Sequence, residues 1–305
     1  MKVIRAKILG FCMGVKRAVE LAAANAAAGS AVFSIGPLVH NPKVIANLEN
    51  RGVRVVSELP QDCRNSSVII RAHGISPAAE EELRLKGCRI IDATCPNVKK
   101  SQLKMLELSR EGYCVFLAGE AQHAEIEGVM GYALPGENPC ILIGGADNAQ
   151  AATQTATQTA TQAAAQTAAA ALYQKNKCAK TALLGQTTIS EEEYSNIAAE
   201  IKKYFPDLEI VKTICAATTE RQQALRELLL ETDAVIVAGG RESANTRRLL
   251  AIAKESGKPC ILAEDTSDIP ADFYNFEKVG LCAGASTPDS LIDEIEAALQ
   301  GGSQN

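Results

Sequence analysis

The chain has 305 residues, more than a single module of about 150 needs, so two or three domains around sizeable cores are expected. It is 47% hydrophobic and 22% charged, ordinary for a globular protein and incompatible with global disorder. Lys and Arg total 31 against 36 Asp and Glu, a net charge of -5, which argues against a nucleic-acid partner held by a broad basic surface. No apolar run approaches the ~18–20 residues that span a bilayer. The start, Met1-Lys2-Val3-Ile4-Arg5-Ala6-Lys7, mixes cations with apolar residues, unlike a signal peptide. A cytoplasmic protein without a membrane partner is expected.

Short β-branched runs alternate with longer stretches of helical period, which predicts an α/β protein with parallel sheets. In chain order the pattern predicts a helix over 15–28, strands at 32–35, 68–70 and 89–91, and a helix over 101–111. Strands at 114–117, 140–143 and 182–184 follow, then a helix over 190–204 and a strand at 209–211. Next come a helix over 219–230, a strand at 234–237, a helix over 244–255, and strands at 260–262 and 279–281. Residues 149–171 are only Ala, Gln and Thr; their propensity and place in the alternation predict a helix. A helix end with Gly leading into a Cys-containing strand recurs at Gly87-Cys88, Gly112-Tyr113-Cys114 and Gly257-Lys258-Pro259-Cys260, a weak sign of several similar α/β units.

The ten cysteines separate by context. Without an export signal, and with no CxxC pair, neither a disulfide framework nor a zinc ribbon is indicated. Cys114, Cys140, Cys260 and Cys282 lie in apolar runs and are expected to pack as small hydrophobes. Nothing assigns a chemical role to Cys63, Cys88 or Cys178. Cys12, Cys95 and Cys215 sit in turn-like settings just past apolar runs, where their sulfurs can be presented.

Polar residues collect at the same places. The chain has three histidines, and His40, His73 and His123 each lie just beyond a predicted strand. Thr187, Thr188, Ser243, Asn245 and Ser286 stand in the same relation to theirs. Ligands bind at the carboxyl ends of parallel strands, so these groups are expected to share one site. Three presented thiols suit an iron–sulfur cluster with one open iron; a zinc site with three Cys and one His is the competing reading. Neutral donors of this kind can hold phosphate oxygens. Glu125, next to a site histidine, is expected to have a raised pKa near an anionic ligand and to donate a proton. Gly10-x-x-x-Gly14 and Gly239-Gly240 fit neither a dinucleotide nor a P-loop pattern, and no Gly-x-Ser-x-Gly elbow is present.

At these residues the sequence resembles the 4-hydroxy-3-methylbut-2-enyl diphosphate reductase family of isoprenoid biosynthesis. The motifs run from Gly10-Phe11-Cys12-Met13-Gly14 through Gly36-Pro37-Leu38-Val39-His40-Asn41, Arg71-Ala72-His73-Gly74, Ala93-Thr94-Cys95-Pro96 and Gly185-Gln186-Thr187-Thr188 to Ala283-Gly284-Ala285-Ser286-Thr287. The resemblance implies three similar α/β units with small parallel sheets around a central [4Fe-4S] cluster, held by Cys12, Cys95 and Cys215 with one iron open. The units implied are 1–95, completed by 283–305; 96–192, with Cys95, His123, Glu125 and Thr187; and 193–282, with Cys215, Ser243 and Asn245. It also implies reductive removal of the substrate's hydroxyl as water, giving isopentenyl and dimethylallyl diphosphate, with electrons from an external carrier such as ferredoxin or flavodoxin. His40, His73, His123, Thr187, Thr188, Ser243, Asn245 and Ser286 match substrate-binding positions, and Glu125, Thr187 and His123 catalytic ones. The chain departs from the family pattern at Ala124, Ala216 and Ala244, where Pro, Asn and Ser are usual. Those alanines motivate a second reading, a diphosphate- or redox-sensing iron–sulfur protein with little turnover; Glu125 and Thr187 argue against it, because binding alone needs no proton relay.

Overall fold

Strands that are apolar at consecutive positions need cover on both faces, and helices supply it on either side of three parallel sheets. The computed structural model describes the chain apart from residues 28–30, 60–62, 65, 137, 145–153, 176–177 and 303–305. The chain opens with β1 (Lys2–Arg5) and α1 (Met13–Ala26). The first complete sheet follows, with β2 (Ala31–Ile35), α2 (Pro42–Asn50), β3 (Val53–Val56), β4 (Ser66–Ile70), α3 (Pro77–Leu85) and β5 (Arg89–Asp92). After α4 (Pro96–Arg110) the second comprises β6 (Cys114–Ala118), α5 (Ala124–Met130), β7 (Cys140–Ile143), α6 (Gln154–Gln174), β8 (Thr181–Gly185), α7 (Glu191–Lys202) and β9 (Glu209–Ile210). After α8 (Ala216–Glu231) the third has β10 (Ala234–Ala238), α9 (Ala244–Glu255), β11 (Cys260–Ala263), β12 (Lys278–Ala283) and α10 (Asp289–Gly301).

The spatial orders are β3-β2-β4-β5, β7-β6-β8-β9 and β11-β10-β12-β1. Counted within each unit, all three are 2-1-3-4, and every pairing is parallel. The strand order reverses between the first and third strands, where a doubly wound sheet opens a crevice at its carboxyl edge. The fourth strand of the third sheet is the chain's own N-terminal β1, paired Lys2 to Lys278. The expected grouping joined 283–305 to the first unit. In the structure α10 buries Leu291, Ile292, Ile295 and Leu299 among Ala234, Ile236 and Leu281, on the sheet that β1 completes.

Alternation along the central strands builds two cores per sheet. Cys114, Phe116 and Ala118 face one side of β6 and Val115 and Leu117 the other; β10 divides the same way between Ile236 and Val235 with Val237. The edge strands β1 and β3 were not predicted, since each is short and half solvated. The Ala/Gln/Thr segment is helical from Gln154, and residues 149–153 lie outside the described residues. Its buried Thr161, Ala165, Ala169 and Leu172 follow helical spacing, with the last three in the second core. Cys114 and Cys282 are buried as expected, while Cys140 and Cys260 are only partly so because β7 and β11 are edge strands. One expectation is corrected. Cys114 is bonded to Cys178 in a disulfide, Cα atoms 6.0 Å apart, because the turn before β8 returns to the start of its neighbour β6.

The second and third units are tied by charge. Arg248 of α9 pairs with Glu193 of α7 at 2.5 Å, with the side chains 11% and 4% exposed. Removing one partner of such a pair strands the other charge, at about 3–5 kcal/mol. Arg248→Met should lower the unfolding free energy by about that amount, and Glu193→Gln in the same chain should restore most of it, as measured by urea denaturation.

Candidate functional site

Each of the three cysteines follows the fourth strand of a unit and caps the helix that enters the next. Cys12 is the N-cap of α1, Cys95 of α4 and Cys215 of α8. Cysteine is an uncommon cap, and neither Cys95 nor Cys215 uses its side chain for capping. The same kind of bond fixes all three. The N–H of Cys95 donates to Ala72 O at 2.9 Å, that of Cys215 to Thr187 O at 3.0 Å, and that of Cys12 to Ala285 O at 3.0 Å. Each acceptor lies just past the third strand of the same unit. The three sulfurs thereby line one cavity of about 780 Å³ including its mouth.

The first strands supply a second equivalent set. Gly36, Gly119 and Gly239 end them, with N–H groups bonded to Val56, Ile143 and Ala263 O on the second strands. Four residues beyond each glycine stand His40, His123 and Ser243. Loops after the third strands bring His73, Thr187, Thr188 and Ser286. All twelve residues expected at a site line this single cavity.

The histidine rings cluster with centroids 4.8, 5.2 and 5.8 Å apart. Burial, then the Arg71 and Arg247 charges, lowers the pKa of His40. Burial, then His40 and His123, holds His73 well below its usual value, and burial, then His40 and Arg247, pushes His123 down to about 3. All three are neutral at pH 7. His123 Nδ1 accepts the Glu125 N–H at 3.2 Å, which leaves its Nε2–H to donate into the cavity. The imidazole ligand atoms lie close enough to hold a metal ion, but nearby guanidiniums disfavour a cation there and favour an anion. Buried His40 Nε2, His73 Nδ1, Thr188 Oγ1 and Asn245 Nδ2 have no partner among the described residues. Buried polar atoms are rarely left so, and these four point to a ligand rich in acceptor oxygens.

Glu125, 2% exposed, accepts from Thr187 N at 2.6 Å and from Thr187 Oγ1 at 2.8 Å. Burial raises its pKa to about 7, against the opposing pull of both Thr187 donors. The group can therefore carry a proton at neutral pH.

The thiol set fits a metal cluster. Burial raises the Cys95 pKa, the nearby Cys12 and Cys215 raise it further, and the N–H groups of Asn97 and Val98 oppose the rise. Soft thiolates gathered this closely need a cation to stay ionised. Gly14 keeps the space clear: a Cβ there would sit 2.6 Å from Cys95 Sγ. Among the lining residues, Asn97 and Arg221 escaped the sequence reading. Asn97 donates from Nδ2 to Cys215 Sγ at 3.1 Å, and Arg221 reaches the cavity from α8. The only sequence signal was their place two and six residues past a presented cysteine.

Residues 3–300 match the LytB protein family. The chain is similar to the 4-hydroxy-3-methylbut-2-enyl diphosphate reductase of Treponema denticola, 40% identical over 99% of this chain and 100% of that one. It is likewise similar to the reductase of the same name from Aquifex aeolicus, 35% identical over 98% and 96%. Among solved structures, (E)-4-hydroxy-3-methyl-but-2-enyl diphosphate reductase, described as the terminal enzyme of the non-mevalonate pathway, matches with TM-score 0.68 and 34% identity over 99% of this chain and all of that one. The E-1-hydroxy-2-methyl-but-2-enyl-4-diphosphate reductase of Plasmodium falciparum matches with TM-score 0.80 and 26% identity, over 97% and 86%.

Gly14→Ala should force Cys95 Sγ out of line and cut bound metal severalfold. Gly301→Ala, whose Cβ would meet nothing within 4 Å, should leave the metal content unchanged in the same elemental assay.

Proposed function

Because this chain belongs to the LytB protein family, we propose a reading in which each lining residue has a role in that family's reductive chemistry. The reaction is the reduction of 4-hydroxy-3-methylbut-2-enyl diphosphate at the end of the non-mevalonate isoprenoid pathway, and the chain is an oxidoreductase. The family implies an iron–sulfur cluster. In our reading it is a [4Fe-4S] cluster held by Cys12, Cys95 and Cys215 with one iron open. When bound, it supplies the electrons and a Lewis-acid position for the substrate's hydroxyl.

The protein's own groups do the rest. His40, His73, His123, Thr188, Ser243, Asn245 and Ser286 hold the diphosphate with neutral donors, supported by the N-terminus of α9. The four unpartnered buried atoms among them carry this reading, since an oxygen-rich anion satisfies all four at once. Glu125 holds a proton that Thr187 relays, its hydroxyl accepting from the carboxyl and donating to the departing oxygen. Two electrons and that proton remove the oxygen as water, and a second proton taken up at an allylic carbon gives isopentenyl or dimethylallyl diphosphate. Electrons arrive from an external carrier such as ferredoxin or flavodoxin. The three-unit division, with β1 and α10 counted in the third, belongs to the same reading, as does a cytoplasmic location. Among the described residues no helix is long and apolar enough to cross a membrane.

Anaerobic reconstitution should give about four irons and four sulfides per chain, and Cys95→Ser should abolish them; zinc in their place would overturn the cluster assignment. Glu125→Gln should keep the cluster and substrate affinity while turnover falls by ~100-fold or more. In the unsubstituted enzyme, turnover should decline as pH rises through about 7, because the carboxyl then loses the proton it must deliver.

A further inference from the structure

Arg221 is a charged lining residue whose position the chemistry above does not explain. It lies on α8, 4% exposed. Its Nη2 donates to Gly10 O at 2.7 Å and its Nη1 to Ala217 O at 2.9 Å, while its Nε has no partner among the described residues. Both acceptors are neutral carbonyls. A buried guanidinium is costly without an opposite charge, so an anion is expected to face it. Burial lowers its pKa, opposed in order by the opposite charges of Cys12, Cys215 and Glu220. The two thiols outweigh the one carboxylate.

The threefold repeat sharpens the point. Arg221 stands six residues past Cys215; the equivalent positions past Cys12 and Cys95 are Ala18 and Ser101. Those two are 0% and 3% exposed, and both are small. Packing alone therefore asks for a small side chain at this site. Only the third unit places a permanent cation there, and it reaches across to the loop that carries Cys12.

We propose, resting on the cluster reading above, that Arg221 is a positioning residue that raises the cluster's reduction potential. Three thiolates give the site a net negative charge, and each added electron makes it more negative. A fixed cation in a low-dielectric wall stabilises the reduced form more than the oxidised one. Its second role follows from the Gly10 bond, which pins α8, capped by Cys215, to the Cys12 loop and so fixes the spacing of two ligands.

The test is a redox titration of the reconstituted protein, followed by the electron paramagnetic resonance signal of the reduced cluster. Arg221→Met, which keeps bulk and removes charge, should make reduction about tenfold less favourable, a 59 mV fall for a one-electron couple. Arg221→Lys keeps the charge and loses the fork; it should hold the potential near the unsubstituted value while releasing iron to a chelator faster. A Met variant with a full cluster and unchanged potential would overturn the proposal. Should the Met variant fail to hold a cluster, Arg221→Lys decides, since a tenfold loss there would show that the charge is not what matters. An unsubstituted chain that takes up no iron would instead sink the cluster reading itself.

Discussion

Three backbone hydrogen bonds organise the centre of this molecule. Each ties the N–H of a cysteine to a carbonyl just past the third strand of its own unit. Each cysteine is at once the last residue before a helix and the junction between two units, because α1, α4 and α8 pack on the sheet that follows rather than the one that precedes. The sulfurs can converge only if all three units are docked. The convergence of the sulfurs and the packing of the units are therefore one constraint, and the ion pair between Arg248 and Glu193 serves the site as well as the fold.

Around that centre the same sheet order, used three times, delivers different chemistry at equivalent places. First strands lead to His40, His123 and Ser243, and third strands to His73, the Thr187-Thr188 pair and Ser286. The repeat supplies the geometry, and divergence within it supplies an asymmetric set of polar groups. Two histidines from the first unit and one from the second crowd together, while hydroxyls and an amide come from the third. Glu125 appears in the second unit only, beside the threonine that orients it.

Electrostatics in the cavity run in one direction. Burial keeps the imidazoles neutral and lets Glu125 carry a proton near pH 7, so the pocket presents donors and a titratable proton to an anion. Arg71, Arg221 and Arg247 stand behind them as fixed cations. A net acidic chain thus encloses a cavity suited to an anion, something its overall charge of -5 conceals.

Much of this is legible in the order of the residues alone. The alternation predicts parallel α/β units, and the turn settings of Cys12, Cys95 and Cys215 separate them from the other seven cysteines. Each histidine's place beyond a strand points to one shared cavity. Local pattern suffices there because strands, caps and loops are set by nearest neighbours along the chain. What sequence could not reveal depends on contacts between distant segments. The pairing of β1 with β12 closes a sheet across the two ends of the chain, and no local signal marks a half-solvated four-residue strand. The disulfide between Cys114 and Cys178 joins positions that only the register of β6 and β8 brings together. Arg221 reads in the sequence as one more basic residue on a helix. Tertiary packing alone turned it inward onto Gly10, because a side chain's partner is chosen by the fold and not by its neighbours in the chain.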